Sequence, residues 1–129
     1  MAMLRISAFV LALAVAGCAA GSTPTTDIGP TPANYREIVA RAMRAEFFDP
    51  SSLQDVWIAP PYPARMYFTD GWMVCVRANG KNRMGGYTGQ QGFGYLVANG
   101  VIVQEGYQTN CPNQQFTEWT EMEGAGWKR

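Results

Sequence analysis

The sequence predicts an α+β domain in which one N-terminal helix packs on a three- to five-stranded antiparallel sheet. Three observations carry this. Apolar residues at Tyr35, Ile38, Val39, Ala42, Met43 and Phe47 recur at helical spacing. Three apolar runs follow later in the chain, Trp72–Val76, Phe93–Val97 and Val101–Val103. The second and third flank Asn99-Gly100, a pair suited to a type I′ hairpin turn because both central residues take positive φ.

The chain has 129 residues, one domain's worth, with ten basic residues against ten acidic ones. Balanced charge argues against a nucleic-acid binder, which would carry a basic excess or stripe. Histidine is absent, which removes the commonest general base and metal ligand. The three cysteines are read by position.

Residues 1–17 are set aside as a targeting segment. Arg5 supplies a short basic start, and Ile6–Ala16 is an apolar run interrupted by Ser7. The run falls well short of the about 20 residues a membrane-spanning helix needs. It ends in Val15-Ala16-Gly17-Cys18, which resembles the lipobox of bacterial lipoproteins. The resemblance implies that Cys18 is lipidated and becomes the mature N-terminus, with palmitate among its acyl chains. Each buried methylene is worth about 0.8 kcal/mol, so several chains anchor stably. It also implies a non-cytoplasmic location, where disulfides persist. Ala19 after the cysteine, rather than Asp, implies sorting to the outer membrane, with the domain on its periplasmic face.

Residues 18–32 read as a lipidated tether. Ala19–Pro32 is small, hydroxylated and proline-rich, with too little apolar surface to order itself. The domain is assigned to 33–123 and a tail to 124–129. Thr31-Pro32 or Asn34-x-x-Glu37 can cap the helix, and Glu37 with Arg41 forms an i, i+4 pair on its exposed face. Asp49-Pro50 closes it, because the residue before proline is pushed out of the α region.

Ser51–Trp57 fits either a second short helix or the approach to a first strand. Pro60-Pro61-Tyr62-Pro63 reads as a rigid connector, since proline lacks the ladder donor. Arg65–Thr69 reads as a strand and Asp70-Gly71 as the turn after it. Along the next strand, alternation places Trp72, Val74, Val76 and Ala78 on one face and Met73, Cys75 and Arg77 on the other. Across Asn99-Gly100, Ala98 should pair with Val101, Val97 with Ile102 and Leu96 with Val103. Both faces near this turn are apolar, so which one meets the helix stays open. Phe116–Met122 reads as a last edge strand.

With Cys18 acylated, Cys75 and Cys111 remain, and in an oxidising compartment they are expected to form a disulfide. Closing so long a loop is worth about 4 kcal/mol in a chain-entropy account. A reactive thiol would lack a histidine to activate it, and a zinc site would lack ligands. Neither a metal nor a cofactor is expected.

The glycine-rich segment Asn79–Gly94 is the most unusual composition in the chain. It carries Lys81, Arg83 and Tyr87, and meets neither the G-x-x-x-x-G-K-[ST] nor the G-x-G-x-x-G nucleotide pattern. Two readings stand: a long β-connection with glycines at its bends, or a recognition loop whose Lys81, Arg83 and Tyr87 contact a ligand. The run W-x-V-C-V-x-x-N-G-K-N-x-x-G-G-Y-T-G resembles a pattern in small bacterial envelope proteins. There a cysteine-bearing strand leads into an Asn-x-Lys-Asn and Gly-Gly-Tyr loop, after a helix ending in Asp-Pro-x-Ser, as at Asp49–Ser52. The resemblance spans roughly residues 35–103 and implies the domain and the loop, with no activity attached.

Glu118, Glu121 and Glu123 near Trp119 superficially suggest a glycosidase carboxylate pair, but read better as a solvated acidic edge. The function expected is that of a non-catalytic outer-membrane lipoprotein. Its partners are the membrane, through Cys18, and another envelope protein or polymer. The alternative is an inhibitor of a secreted hydrolase such as a lysozyme, against which stands the lack of a Ser-Gly-x-Arg-Tyr-like insertion motif.

Overall fold

The computed structural model describes residues 23–107, 111 and 114–124. The targeting segment, Cys18 and residues 125–129 of the tail lie outside the described residues. Among the described residues the chain forms one helix, α1 (Tyr35–Glu46), and six strands: β1 (Gln54–Ile58), β2 (Tyr62–Met66), β3 (Thr69–Asn79), β4 (Gln91–Ala98), β5 (Val101–Tyr107) and β6 (Thr117–Glu118). Their pairings are antiparallel, in the order β5-β4-β3-β1-β6, with β2 also paired to β3.

This corrects the expected fold class. The fold is sheet-dominated, with one helix beside six strands, rather than a helix on three to five. The miscount has identifiable causes. The prolines masked the first half of β2: the strand expected at Arg65–Thr69 runs instead from Tyr62 to Met66, with Pro63 opposite Trp72. Because β2 pairs with β3 on one side only, the missing donor can fall on its other side. β1 carries a bulge with Asp55 at φ 51°, which breaks the alternation that would have marked it. β6 is only two residues, followed by a 3₁₀ turn at Thr120–Met122.

The helix starts at Tyr35 with Asn34 at the N-cap position, although the Asn34 side chain does not cap it. Ile38, Val39, Ala40 and Met43 are buried, and Tyr35, Ala42 and Phe47 pack at the margin. Glu37 and Arg41 form their ion pair at 3.0 Å, but both are well exposed, so it is worth at most about 0.5 kcal/mol.

Eleven-residue β3 is the strand the rest is built around. One edge pairs with β4 from Trp72 to Ala78, while the other takes β2 along its first half and β1 along its second. Its side chains alternate as expected, and the structure decides the face. Val74, Val76 and Ala78, with Phe93, Tyr95 and Val97 of β4, meet α1. On the opposite face Met73, Cys75 and Leu96 pack with Ala59 and Ala64, covered by Tyr62, Met66, Cys111 and Phe116. Cys75 is fully buried and bonded to Cys111, with the two Cα atoms 6.1 Å apart. That separation lies within the ordinary range for a disulfide.

Two local expectations are corrected. The turn before β3 is Tyr67-Phe68, and Asp70-Gly71 lies inside the strand. Gly71 is a glycine for a tertiary reason: a Cβ there would come 2.7 Å from the Val97 carbonyl oxygen and 3.0 Å from Leu96 Cγ. Across the Asn99-Gly100 turn, Ala98 pairs with Val101 and Val97 with Ile102. The register then shifts, so that Leu96 opposes Gln104 rather than Val103.

The described part of the tether, from Thr23 to Pro32, is clasped to the domain at Asp70. Its Oδ2 accepts from the backbone N–H groups of Thr25 and Thr26, at 3.1 Å each, and from their hydroxyls at 3.2 and 2.8 Å. The tether is therefore not a free linker over its whole length. The C-terminal segment is likewise buttoned along β1. Val56 O accepts from Trp119 N, Val56 N donates to Glu123 Oε1 and Gly124 N donates to Leu53 O.

Candidate functional site

The Asn79–Gly94 segment is shorter as a loop than its composition suggested, because Asn79 ends β3 and Gln91 begins β4. The intervening chain is folded on itself. Lys81 and Tyr87 form an isolated antiparallel bridge. Within it, Asn82 N donates to Gly86 O and Gly85 N to Asn82 O, while Asn82 Oδ1 accepts from Met84 N and Gly86 N. An asparagine side chain that takes backbone N–H groups two and four residues on builds such a turn.

Ser52 fastens the loop to the body. Its hydroxyl accepts from Lys81 N at 2.9 Å and donates to Asp49 O at 2.7 Å, and its carbonyl accepts from the Tyr87 hydroxyl at 2.8 Å. Pro50 opens the 3₁₀ turn at Pro50–Ser52 that presents both groups. A further tie runs from Gln90 Nε2 to Asp55 O at the β1 bulge. The loop is thus positioned by residues some 30 positions earlier in the chain.

Beside this clasp lies a groove of about 270 Å³, between the end of α1 and the loop. Phe47, Phe48 and Phe93 supply its aromatic wall, with Phe47 edge-on to Phe93 at 5.0 Å between centroids. Gly80 lies at its base, and a Cβ there would press to 3.1 Å from the Phe47 ring. Lys81 and Arg83 also line it, together with Asn82, Thr88 and Gln91.

Of the three candidate binding residues, the structure brings Lys81 and Arg83 together on this groove and leaves Tyr87 outside its lining. Tyr87 is half-exposed, and its hydroxyl is committed to Ser52, so it braces the loop. The Lys81 ammonium lies 5.7 Å from the Tyr87 ring centroid and the Arg83 guanidinium 5.6 Å from that of Phe48. Such contacts steady a cation without neutralising it. Neither cation enters an ion pair among the described residues.

Glu46, at the last turn of α1, also lines the groove and accepts the Tyr95 hydroxyl at 2.9 Å. Burial, then the Glu46 carboxylate, pushes the Tyr95 hydroxyl far above its usual range. Burial first, and Glu46 second, also raises the Glu105 carboxyl. The groove lining therefore combines a carboxylate, two cations and three aromatic rings.

None of Glu46, Phe47, Phe48 and Phe93 is marked as a site residue by the sequence. Phe47 belongs to the helical stripe and Phe93 to an apolar run, whereas Phe48 falls off the stripe, a signal that marks it in the sequence, and it is exposed. The Asp49-Pro50-Ser51-Ser52 run is the other legible sign, and its use is the Ser52 clasp. The acidic edge takes a different form from the one expected. Glu118 and Glu121 are exposed, but Glu123 caps a strand N–H and Trp119 is core at 4% exposure. No helix among the described residues is long and apolar enough to cross a membrane, and no cluster among them could hold a metal ion.

Comparison with protein-family models, with curated proteins and with solved structures finds no match.

Proposed function

We propose that this chain is a lipid-anchored, non-catalytic protein of the bacterial outer membrane that captures another envelope component at the groove beside the Lys81–Tyr87 loop. The observation carrying this reading is the convergence of Lys81 and Arg83 on a groove walled by Phe47, Phe48 and Phe93. Both cations rest on rings, and among the described residues neither is taken up by an ion pair. This chemistry suits an anionic group next to an apolar one: the cations take the charge and the rings take the rest. The anchor is supported by Val15-Ala16-Gly17-Cys18, and the extracytoplasmic setting by the buried Cys75–Cys111 bond.

The test is capture from detergent-solubilised envelope with the acylated chain as bait, read by mass spectrometry. Lys81→Ala with Arg83→Ala should keep the fold and reduce capture of the partner about tenfold, the effect of losing about 1.4 kcal/mol of contact. Tyr87→Phe, which loses only the bond to Ser52, should reduce it less. A folded double variant that recovers the same partners in the same amounts overturns the groove as the binding site.

A further inference from the structure

The β2–β3 turn is built from residues that ordinarily avoid its geometry. Tyr67 and Phe68 occupy its two central positions at φ 46° and 69°. Left-handed backbone there suits Asn-Gly, the pair this chain uses at Asn99-Gly100, and costs energy for a bulky side chain. Neither ring recovers that cost by burial. Tyr67 is 72% exposed and Phe68 92% exposed. Paired strain and exposure of this kind persist where a site uses them.

The place of the turn says for what. Arg65 donates from Nη1 to Thr25 Oγ1 at 2.7 Å and from Nη2 to the Phe68 carbonyl at 3.4 Å. One guanidinium thus ties the aromatic tip to the point where the tether meets the domain, and Asp70 holds the same tether residues from beside it. The chain between Cys18 and Thr25 can extend no more than roughly 25 Å, at about 3.5 Å per residue.

From this we infer that Tyr67 and Phe68 form a membrane-contact tip, whose rings enter the interfacial layer of the bilayer that carries the anchor. The inference rests on the lipid anchor at Cys18 proposed above. Aromatic side chains concentrate at the headgroup level, where an apolar ring and a polar handle are both accommodated. Arg65, the cation tied to the tip, is paired with Asp70, so the contact is apolar and insensitive to salt. Contact at the tip and a lipid on the tether together set the domain's orientation on the membrane.

The test uses the acylated chain in phosphatidylethanolamine–phosphatidylglycerol vesicles, its acylation verified by intact mass. Phe68→Trp adds a fluorophore at an exposed position, read as the difference from the unsubstituted chain. The expected difference spectrum is blue-shifted, quenched by lipids brominated near the headgroups and unchanged in high salt. In the same vesicles, the unsubstituted chain should show slowed hydrogen exchange at the Met66–Thr69 amides, and Tyr67→Asn with Phe68→Gly, which keeps a favourable turn, should lose it. An acylated, folded Phe68→Trp chain whose added emission is water-like and quenched by aqueous iodide overturns the tip and leaves the anchor standing. A blue shift that depends on protein density and ignores brominated lipid also overturns it, by making the tip a contact between proteins. An unacylated chain removes the anchor, and the tip with it.

Discussion

Arg65 and Asp70 face each other across the β2–β3 hairpin, Nε 3.3 Å from Oδ1, and Thr25 and Thr26 close over the pair. The Asp70 side chain is left 6% exposed, by residues 44 and 45 positions earlier in the chain. A carboxylate holding four donors on one oxygen and a guanidinium on the other is the natural place for the tether to be fixed.

That clasp should titrate. The Thr26 hydroxyl foremost, with the Thr25 N–H and hydroxyl and then Arg65, holds the Asp70 carboxyl below its usual 3.8, against burial, which acts the other way. A carboxyl depressed in the folded state stabilises it above the unfolded value and loses that contribution as pH falls through the folded one. Asp70→Asn should therefore melt below the unsubstituted chain at neutral pH. The gap should close as pH falls below about 4. Melting temperatures across that range check it, and a gap that persists to the most acid point would mean the carboxylate acts by shape alone.

Gly71→Ala should be among the most damaging single changes outside the core side chains. The added Cβ meets a backbone oxygen, Val97 O, at 2.7 Å, and backbone in the middle of a paired sheet cannot step aside. A loss of about 1–3 kcal/mol is expected, as for overpacking in a close-packed interior. Urea midpoints measure it, with the m-value unchanged if the folded state is retained.

The protein isolated without reductant should show no free thiol at Cys75 or Cys111. Replacing both by alanine should cost about 2–4 kcal/mol. Cys75→Ser with Cys111→Ser should cost more, because position 75 is fully buried among Ala59, Ala64, Met73 and Leu96 and a hydroxyl there gains little. Equal stability of the alanine and serine pairs would show that the site is wetter than its packing implies.

What the sequence by itself determined is local and periodic. The α1 stripe, the alternation of β3 and the Asn99-Gly100 turn each follow from a repeat or a backbone preference within a few residues, so each can be read without knowing the neighbours. The cysteine pairing was readable for a different reason, since few partners were available. Only the tertiary structure decided why Gly71 is a glycine, because the Val97 carbonyl that excludes a side chain lies on another strand. The same holds for the place of Pro63 in an edge strand and for the bulge at Asp55, whose carbonyl receives Gln90. The candidate site is the clearest case. Lys81 and Arg83 stood out by composition, but the rings that wall their groove come from the end of α1 and from β4, and the serine that fastens their loop comes from the turn after α1. A groove is made by closing distant segments on one another, and no single segment carries the energy of that closure in its own pattern.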